Sequence, residues 1–209
     1  MPAGSSARLF VALDLPAEVR DALVAWRAPV LAAAEGGLRA VDPAALHVTL
    51  CFLGSLPLAS VEPVGEAVMG AIGSVGGAAG PHGGAPVPGV DVGVGGLALG
   101  DGLWLPRRRP RVLTVALEDG DGALAAVQAA VADALTAGGW FAPEPRRYLP
   151  HVTVARVRER RPAAAAALTR APLPATPALA FAGVAVTLYR SLLGGGPARY
   201  EPLVRVALR

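Results

Sequence analysis

Lysine is absent from this chain of 209 residues, and all 19 of its basic side chains are arginine. The phosphate-binding glycine loop of the G-x-x-x-x-G-K type ends on a lysine that reaches the phosphates, so that device is excluded. No cofactor of that kind is expected. Cysteine occurs once, as Cys51, which rules out an internal disulfide. Although 53% of the residues are hydrophobic, no uninterrupted apolar run reaches the roughly 20 residues needed to cross a bilayer. The opening Met1-Pro2-Ala3-Gly4-Ser5-Ser6-Ala7-Arg8 lacks the charged region and long apolar segment of a secretory signal. A cytoplasmic protein without a membrane partner is expected. Histidine is scarce, with three in the chain.

Two of those three lie in matching settings. Leu46-His47-Val48-Thr49-Leu50 and Pro150-His151-Val152-Thr153-Val154 each place a histidine two residues before a threonine within an apolar run. Their β-branched and large apolar neighbours favour strands. On a strand, residues i and i+2 share a face, so each His stands beside its Thr while the valines point into a core. Side by side, the two strands would form a cleft with two imidazoles and two hydroxyls, the equipment for acid–base chemistry on a phosphate ester. Strict alternation also sets Cys51 on the catalytic face, although a small buried cysteine is the commoner case and nothing else supports a thiol mechanism; it sets Arg156 on the face opposite His151 unless a bulge intervenes. A lone strand histidine is ordinarily structural, but that does not explain a repeated His-x-Thr pattern. Zinc would need Asp14, Asp42 and Cys51 to converge on the histidines, and their spacing does not suggest it; no metal is expected. His82, between Pro81 and Gly83, is expected on an exposed loop.

The formal net charge of +3 is unevenly spread. Arg107, Arg108, Arg109 and Arg111 form one run; Arg146, Arg147, Arg156, Arg158, Arg160 and Arg161 surround the second motif. A cleft edged in this way attracts polyanions. Strands are predicted at Arg8–Leu15, His47–Gly54, Leu103–Leu105, Arg111–Leu117, about His151, Phe181–Ser191 and Tyr200–Leu208. Helices are predicted from Pro16 toward Pro29, at Leu58–Ile72, at Ala123–Leu135 with Asp121 as cap, and near Ala163–Arg170. Asp42–Ala45 suggests a helical turn, and about 73–102 a Gly/Pro-rich loop with short strands around Val87–Leu99. The elements fall into two rough copies, giving an α+β fold in which two pseudo-symmetric lobes of antiparallel sheet, helices outside, face each other across a cleft. Residues 1–209 are taken as a single domain of two intertwined lobes. Phe10 is expected to pack in the core, and Tyr189 either there or against a base.

Taken together, the two motifs, the opening strand Arg8–Pro16, the Phe52-Leu53-Gly54 exit and the ending Val186-Thr187-Leu188-Tyr189-Arg190-Ser191 with Tyr200 resemble the 2H phosphoesterase superfamily. More narrowly they resemble its RNA 2′,3′-cyclic phosphodiesterases, also called 2′-5′ RNA ligases. The resemblance covers nearly the whole chain; Val154, where leucine is usual, and an expanded glycine-rich middle depart from it. It implies metal-independent hydrolysis of RNA or nucleotide 2′,3′-cyclic phosphates to 2′-phosphomonoesters. It further implies His47 as general acid, His151 as general base, and Thr49 and Thr153 on the non-bridging oxygens. Arg156 is a candidate substrate contact. On the residues alone the two histidines are interchangeable. The expected partner is RNA with a cyclic phosphate end, or a cyclic nucleotide, bound by a monomer. The alternatives are ATP-independent 2′-5′ ligation as the reverse activity, a related cyclic-phosphate small molecule, and a non-catalytic module that binds RNA ends.

Overall fold

The computed structural model describes residues 6–76, 93–158, 169, 171–192 and 198–208. Among them are nine strands: β1 (Ser6–Asp14), β2 (Leu38–Ala40), β3 (His47–Pro57), β4 (Leu97–Leu105), β5 (Val112–Asp119), β6 (His151–Val157), β7 (Ala180–Phe181), β8 (Ala185–Leu192) and β9 (Arg199–Ala207). Three α-helices accompany them: α1 (Ala17–Ala33), α2 (Val61–Gly76) and α3 (Ala123–Ala137). The expected exposed loop at His82, the strand residues 87–92 and the alanine-rich helix near Ala163–Arg170 fall wholly or largely outside the described residues.

The sheet is antiparallel throughout, in the order β7-β4-β5-β6-β3-β1-β8-β9, with β2 on β6. The order is symmetric about its centre. The β1-α1-β3 unit corresponds to β5-α3-β6, and the two His strands meet in the middle through the pair Val48↔Val152. The fold is α+β with two similar lobes, as the sequence indicates. Alternation in β1 shows how the layers form: Ala7, Leu9, Val11 and Leu13 are buried in the core, leaving Arg8, Phe10, Ala12 and Asp14 for the opposite, cleft-side face. The helices close the core, which includes Leu23 and Val19 of α1, Val64 and Val68 of α2, and Val127 and Val131 of α3.

Several boundaries depart from the sequence reading. Helix α1 runs through Pro29 to Ala33; Val30 packs in the core, and termination waits for Glu35 and Gly36, whose φ values are 42° and 79°. Helix α2 continues into the supposed glycine-rich loop because Ile72 and Val75 still find core partners. Strand β4 likewise begins at Leu97, inside that loop. The cap of α3 is supplied by Asp119, not Asp121: its carboxylate accepts from the amides of Leu124 at 3.2 Å and Ala125 at 2.8 Å. The single strand expected at Phe181–Ser191 is two, β7 and β8. Between them Gly183 presses on the core, where a Cβ would come within 2.6 Å of Leu13 Cδ1.

Arg27 is a buried charge on α1. Its guanidinium donates to the carbonyls of Val41 and Val154, the second at 2.8 Å. Val154 lies where β6 bulges against β5, the register shifting between Leu113 and Thr114. Its carbonyl also accepts from the Val41 amide at 3.0 Å. Replacing Arg27 with methionine keeps the stem and removes the charged donor. Stability is expected to fall by about 2–3 kcal/mol, as for loss of charged hydrogen bonds, read as a lower urea midpoint at unchanged slope.

Candidate active site

Both motif strands carry the same irregularity. In β3 the pairing with β1 shifts at Leu50, which is left without a partner between the pairs Thr49↔Ala12 and Cys51↔Val11. In β6 the shift against β5 falls at Val154 and Ala155. Each bulge buries two consecutive residues and reverses the alternation beyond them. Cys51 therefore lies in the core, 1% exposed, contrary to strict alternation. Burial pushes its thiol up to about 12, with Gln128 opposing; it is no nucleophile at neutral pH. Phe52, 50% exposed, takes the histidine side instead. Arg156 does the same in β6: it stands on the face of His151 and Thr153, exposed, rather than opposite them. The side chains behind the bulges differ in sequence but not in task. Arg27 of α1 holds the Val154 carbonyl, and Gln128 of α3 donates to the Leu50 carbonyl at 3.5 Å.

Continuing the antiparallel register from Val48↔Val152 sets His47 across from Thr153, and Thr49 across from His151. Val48 and Val152 are fully buried, so the two histidines and two threonines project from the other face as a square with alternating corners. Both rings are fixed in the same way. His47 Nδ1–H donates to the Ala45 carbonyl at 2.8 Å, and His151 Nδ1–H to the Leu149 carbonyl at 2.8 Å. Each bond leaves Nε2 as the working nitrogen. In His47 that atom lies 3.2 Å from Thr49 Oγ1, and Tyr148 O–H donates to the Thr49 carbonyl at 3.1 Å. The turn before β3 is set by Asp42, whose carboxylate accepts from the Ala44 amide at 2.9 Å.

The surroundings break the symmetry. His47 is paired across the sheet with Asp14, whereas His151 is paired with Ala116. Asp14 accepts from Tyr189 O–H at 2.8 Å, from Thr187 O–H at 2.9 Å and from Arg205 Nε at 3.3 Å. Phe10 stacks on the His47 ring with centroids 5.0 Å apart, and Tyr200 meets it edge-on at 5.3 Å. Phe10, expected in the core, is buried instead on the cleft face, against the His47 ring. Enclosure by these rings lowers the His47 pKa below its ordinary value; Arg156 and His151 push the same way, while the Ala45 carbonyl and Asp14 oppose. Tyr189 is raised to about 12, by burial first and then by its bond to Asp14, so it stays a donor. A cavity of about 610 Å³ opens beside His47, lined by Asp14, Tyr189, Tyr200 and Arg205 among others. Among the described residues no group of three or more His, Cys, Asp or Glu is placed to hold a metal.

A profile of known relatives coincides with this geometry: that of the 2′-5′ RNA ligase superfamily matches residues 15–195. The chain belongs to this superfamily. It is 31% identical over 204 residues to the RNA 2′,3′-cyclic phosphodiesterase of Escherichia coli K12, covering 96% of each chain. Among superfamily structures, E. coli LigT complexed with 3′-AMP aligns at a TM-score of 0.70 and 25% identity, covering 98% of this chain and 99% of that one. The TT0787 structure from Thermus thermophilus shares the fold at a TM-score of 0.65 and 24% identity, covering 97% and 98%. E. coli LigT has also been crystallised with ATP and with NADP+.

The four motif residues come together as the strand alternation indicates, but no local signal marked what surrounds His47. Asp14 was visible as the end of a strand and as a zinc ligand that the spacing did not support. Its role depends on the β1–β3 and β1–β8 registers, which no local pattern announces.

Proposed function

We propose that the chain hydrolyses 2′,3′-cyclic phosphate ends of RNA, or cyclic nucleotides, to 2′-phosphomonoesters by acid–base catalysis between His47 and His151. The observation that carries this reading is the pair of Nε2 atoms, each freed by an Nδ1–H···O=C bond, on either side of the Val48–Val152 pair. A phosphate above that pair has an imidazole on each side, as in-line displacement requires. His151 Nε2 takes the proton from water as oxygen attacks phosphorus; His47 Nε2 gives its proton to the departing 3′-oxygen. Thr49 and Thr153 donate to the non-bridging oxygens as charge builds there. Arg156 adds a positive charge on the same face.

The acid is assigned to His47 because Asp14 stands beside it and favours the imidazolium, whereas Ala116 beside His151 offers no charge. The bound phosphate favours it further, offsetting the burial that holds its pKa down in the free site. We take residues 1–209 as one unit and the enzyme as a monomer. A reduced, buried Cys51 suits the cytoplasm. Among the described residues no helix is long and apolar enough to cross a membrane.

The test is a short RNA ending in a 2′,3′-cyclic phosphate, incubated in chelator, with the product identified. A 2′-phosphate is expected; a 3′-phosphate would reverse the roles. The pH dependence of kcat/KM in Asp14→Asn checks the assignment independently. The amide oxygen still accepts from one of the two hydroxyls, Tyr189 or Thr187, and its NH2 faces the other as a donor, but the charge that raises the His47 pKa is gone. On the alkaline side the active fraction scales with the His47 proton affinity, so kcat/KM should fall there and hold on the acid side. Were His47 the base, the acid side would rise and the alkaline side would hold.

A further inference from the structure

Among the described residues the ladder between the two motif strands holds a single pair, Val48↔Val152. One pair leaves two strands free to pivot, yet in-line displacement needs both imidazoles on one line through phosphorus. The link that removes this freedom lies beneath the sheet, in Arg27 of α1. Its Nη1 donates to the Val41 carbonyl and, at 2.8 Å, to the Val154 carbonyl. Each carbonyl leads directly to a motif. Val41 precedes the Asp42–Ala45 turn, in which Asp42 accepts from the Ala44 amide at 2.9 Å and the Ala45 carbonyl holds the His47 Nδ1–H at 2.8 Å. Val154 follows Thr153 and opens the bulge that brings Arg156 to the histidine side. The Val41 amide donates to the same Val154 carbonyl at 3.0 Å, so the backbone joins the two segments and the guanidinium clamps the joint.

Core packing does not call for a cation here. Arg27 is 5% exposed, and burying a charge is costly. Burial opposes the cation, and the charge of Asp42 favours it. At the other bulge a neutral amide, that of Gln128, suffices for the Leu50 carbonyl. Hydrogen bonds from an ionised donor are shorter and about twice as strong as neutral ones, and this donor stands where segments of the two lobes must keep one spacing. We infer that Arg27 is a positioning residue for catalysis: by bridging the Val41 and Val154 carbonyls it fixes the spacing of the His47 and His151 imidazoles across the phosphate. The inference rests on the paired acid–base reading.

The test compares Arg27→Met with Arg27→Lys at a temperature where circular dichroism shows both to be folded. On 2′,3′-cyclic AMP, kcat of the methionine variant should fall by about ten- to a hundredfold, the cost of misplacing catalytic groups by up to an ångström, with KM little changed. The lysine variant, which keeps a charged donor, should recover most of kcat. In a His151→Ala background the methionine change should cost less than about twofold more, because one imidazole alone has no spacing to keep. A stability defect by itself leaves kcat per folded molecule intact, or lowers it equally in both backgrounds. The imidazole ¹⁵N–¹H signals of the free protein, assigned with His47→Ala and His151→Ala, give a second readout. Both should move in Arg27→Met and return toward their wild-type positions in Arg27→Lys. Arg27→Gln, neutral and too short to bridge, takes the place of the methionine variant if that one does not fold. Wild-type kcat in the folded methionine variant, equal losses in both backgrounds, or imidazole signals that stay in place would overturn the assignment. Wild-type protein that leaves 2′,3′-cyclic AMP intact counts against the phosphodiesterase reading itself, while the imidazole signals still decide what Arg27 holds.

Discussion

Alanine in place of either His47 or His151 is expected to lower kcat on 2′,3′-cyclic AMP by about 10²–10⁴, the range for loss of one positioned proton transfer. KM should change little, since the imidazoles act mainly as protons move and the threonines still hold the phosphate. The fold should survive both changes: the two rings project from the cleft face, and the bonds forfeited are local, from His151 to the Leu149 carbonyl and from His47 to the Ala45 carbonyl and Thr49 Oγ1. Melting temperature measured beside the rates separates chemistry from stability. The double variant should be scarcely slower than the slower single one, because one proton cannot be delivered usefully while the other is stranded. A single variant that keeps full rate would end the paired mechanism.

Valine at Thr49 or Thr153 preserves shape and removes one donor. Each change should cost about 10²–10³ in kcat, the magnitude for deleting a preorganised donor to developing negative charge. The two sites are not equivalent. Thr49 O–H is within 3.2 Å of His47 Nε2, so it also orients the proposed acid before substrate arrives. Thr153 stands across from His47 in register, and in the proposed mechanism it serves the phosphate alone. Thr49→Val should therefore shift the alkaline side of the pH profile as well as lower the rate, and Thr153→Val should lower the rate with the profile in place. Unchanged kcat in both would remove the threonines from the mechanism.

What the sequence showed and hid follows from the range of the interactions involved. His47, Thr49, His151 and Thr153 were legible because a repeated four-residue pattern on strands is local information. Alternation also exposed the core faces of β1 and β3. The bulges were not legible: two consecutive buried residues, Leu50-Cys51 or Val154-Ala155, look like any apolar run, and they are held by Gln128 and Arg27 from distant helices. That one displacement moved Cys51 into the core and brought Phe52 and Arg156 to the histidine side. Glycines misled in the opposite direction. Gly73 suggests a loop, yet α2 passes through it as far as Gly76, since its apolar stripe keeps finding partners. Short β2 had no period to detect, and Asp119 outcompeted Asp121 at α3 because the carboxylate three residues before the N-cap reaches two free amides.

The crossing of strands between lobes bears on how this chain acquires its shape. After β3 the chain leaves for the far lobe to build β4, and after β6 it returns to lay β8 against β1. Each lobe therefore waits for a strand from the other half of the sequence, and β1 stays unpaired on one edge until residues 185–192 have been synthesised. Such distant pairings close late and slowly. Neither half should hold its tertiary structure alone, and the lobes should melt together in a single transition. The cleft is then only as durable as the last strand to arrive, and a nascent chain released before β8 would present the β1 edge to other molecules.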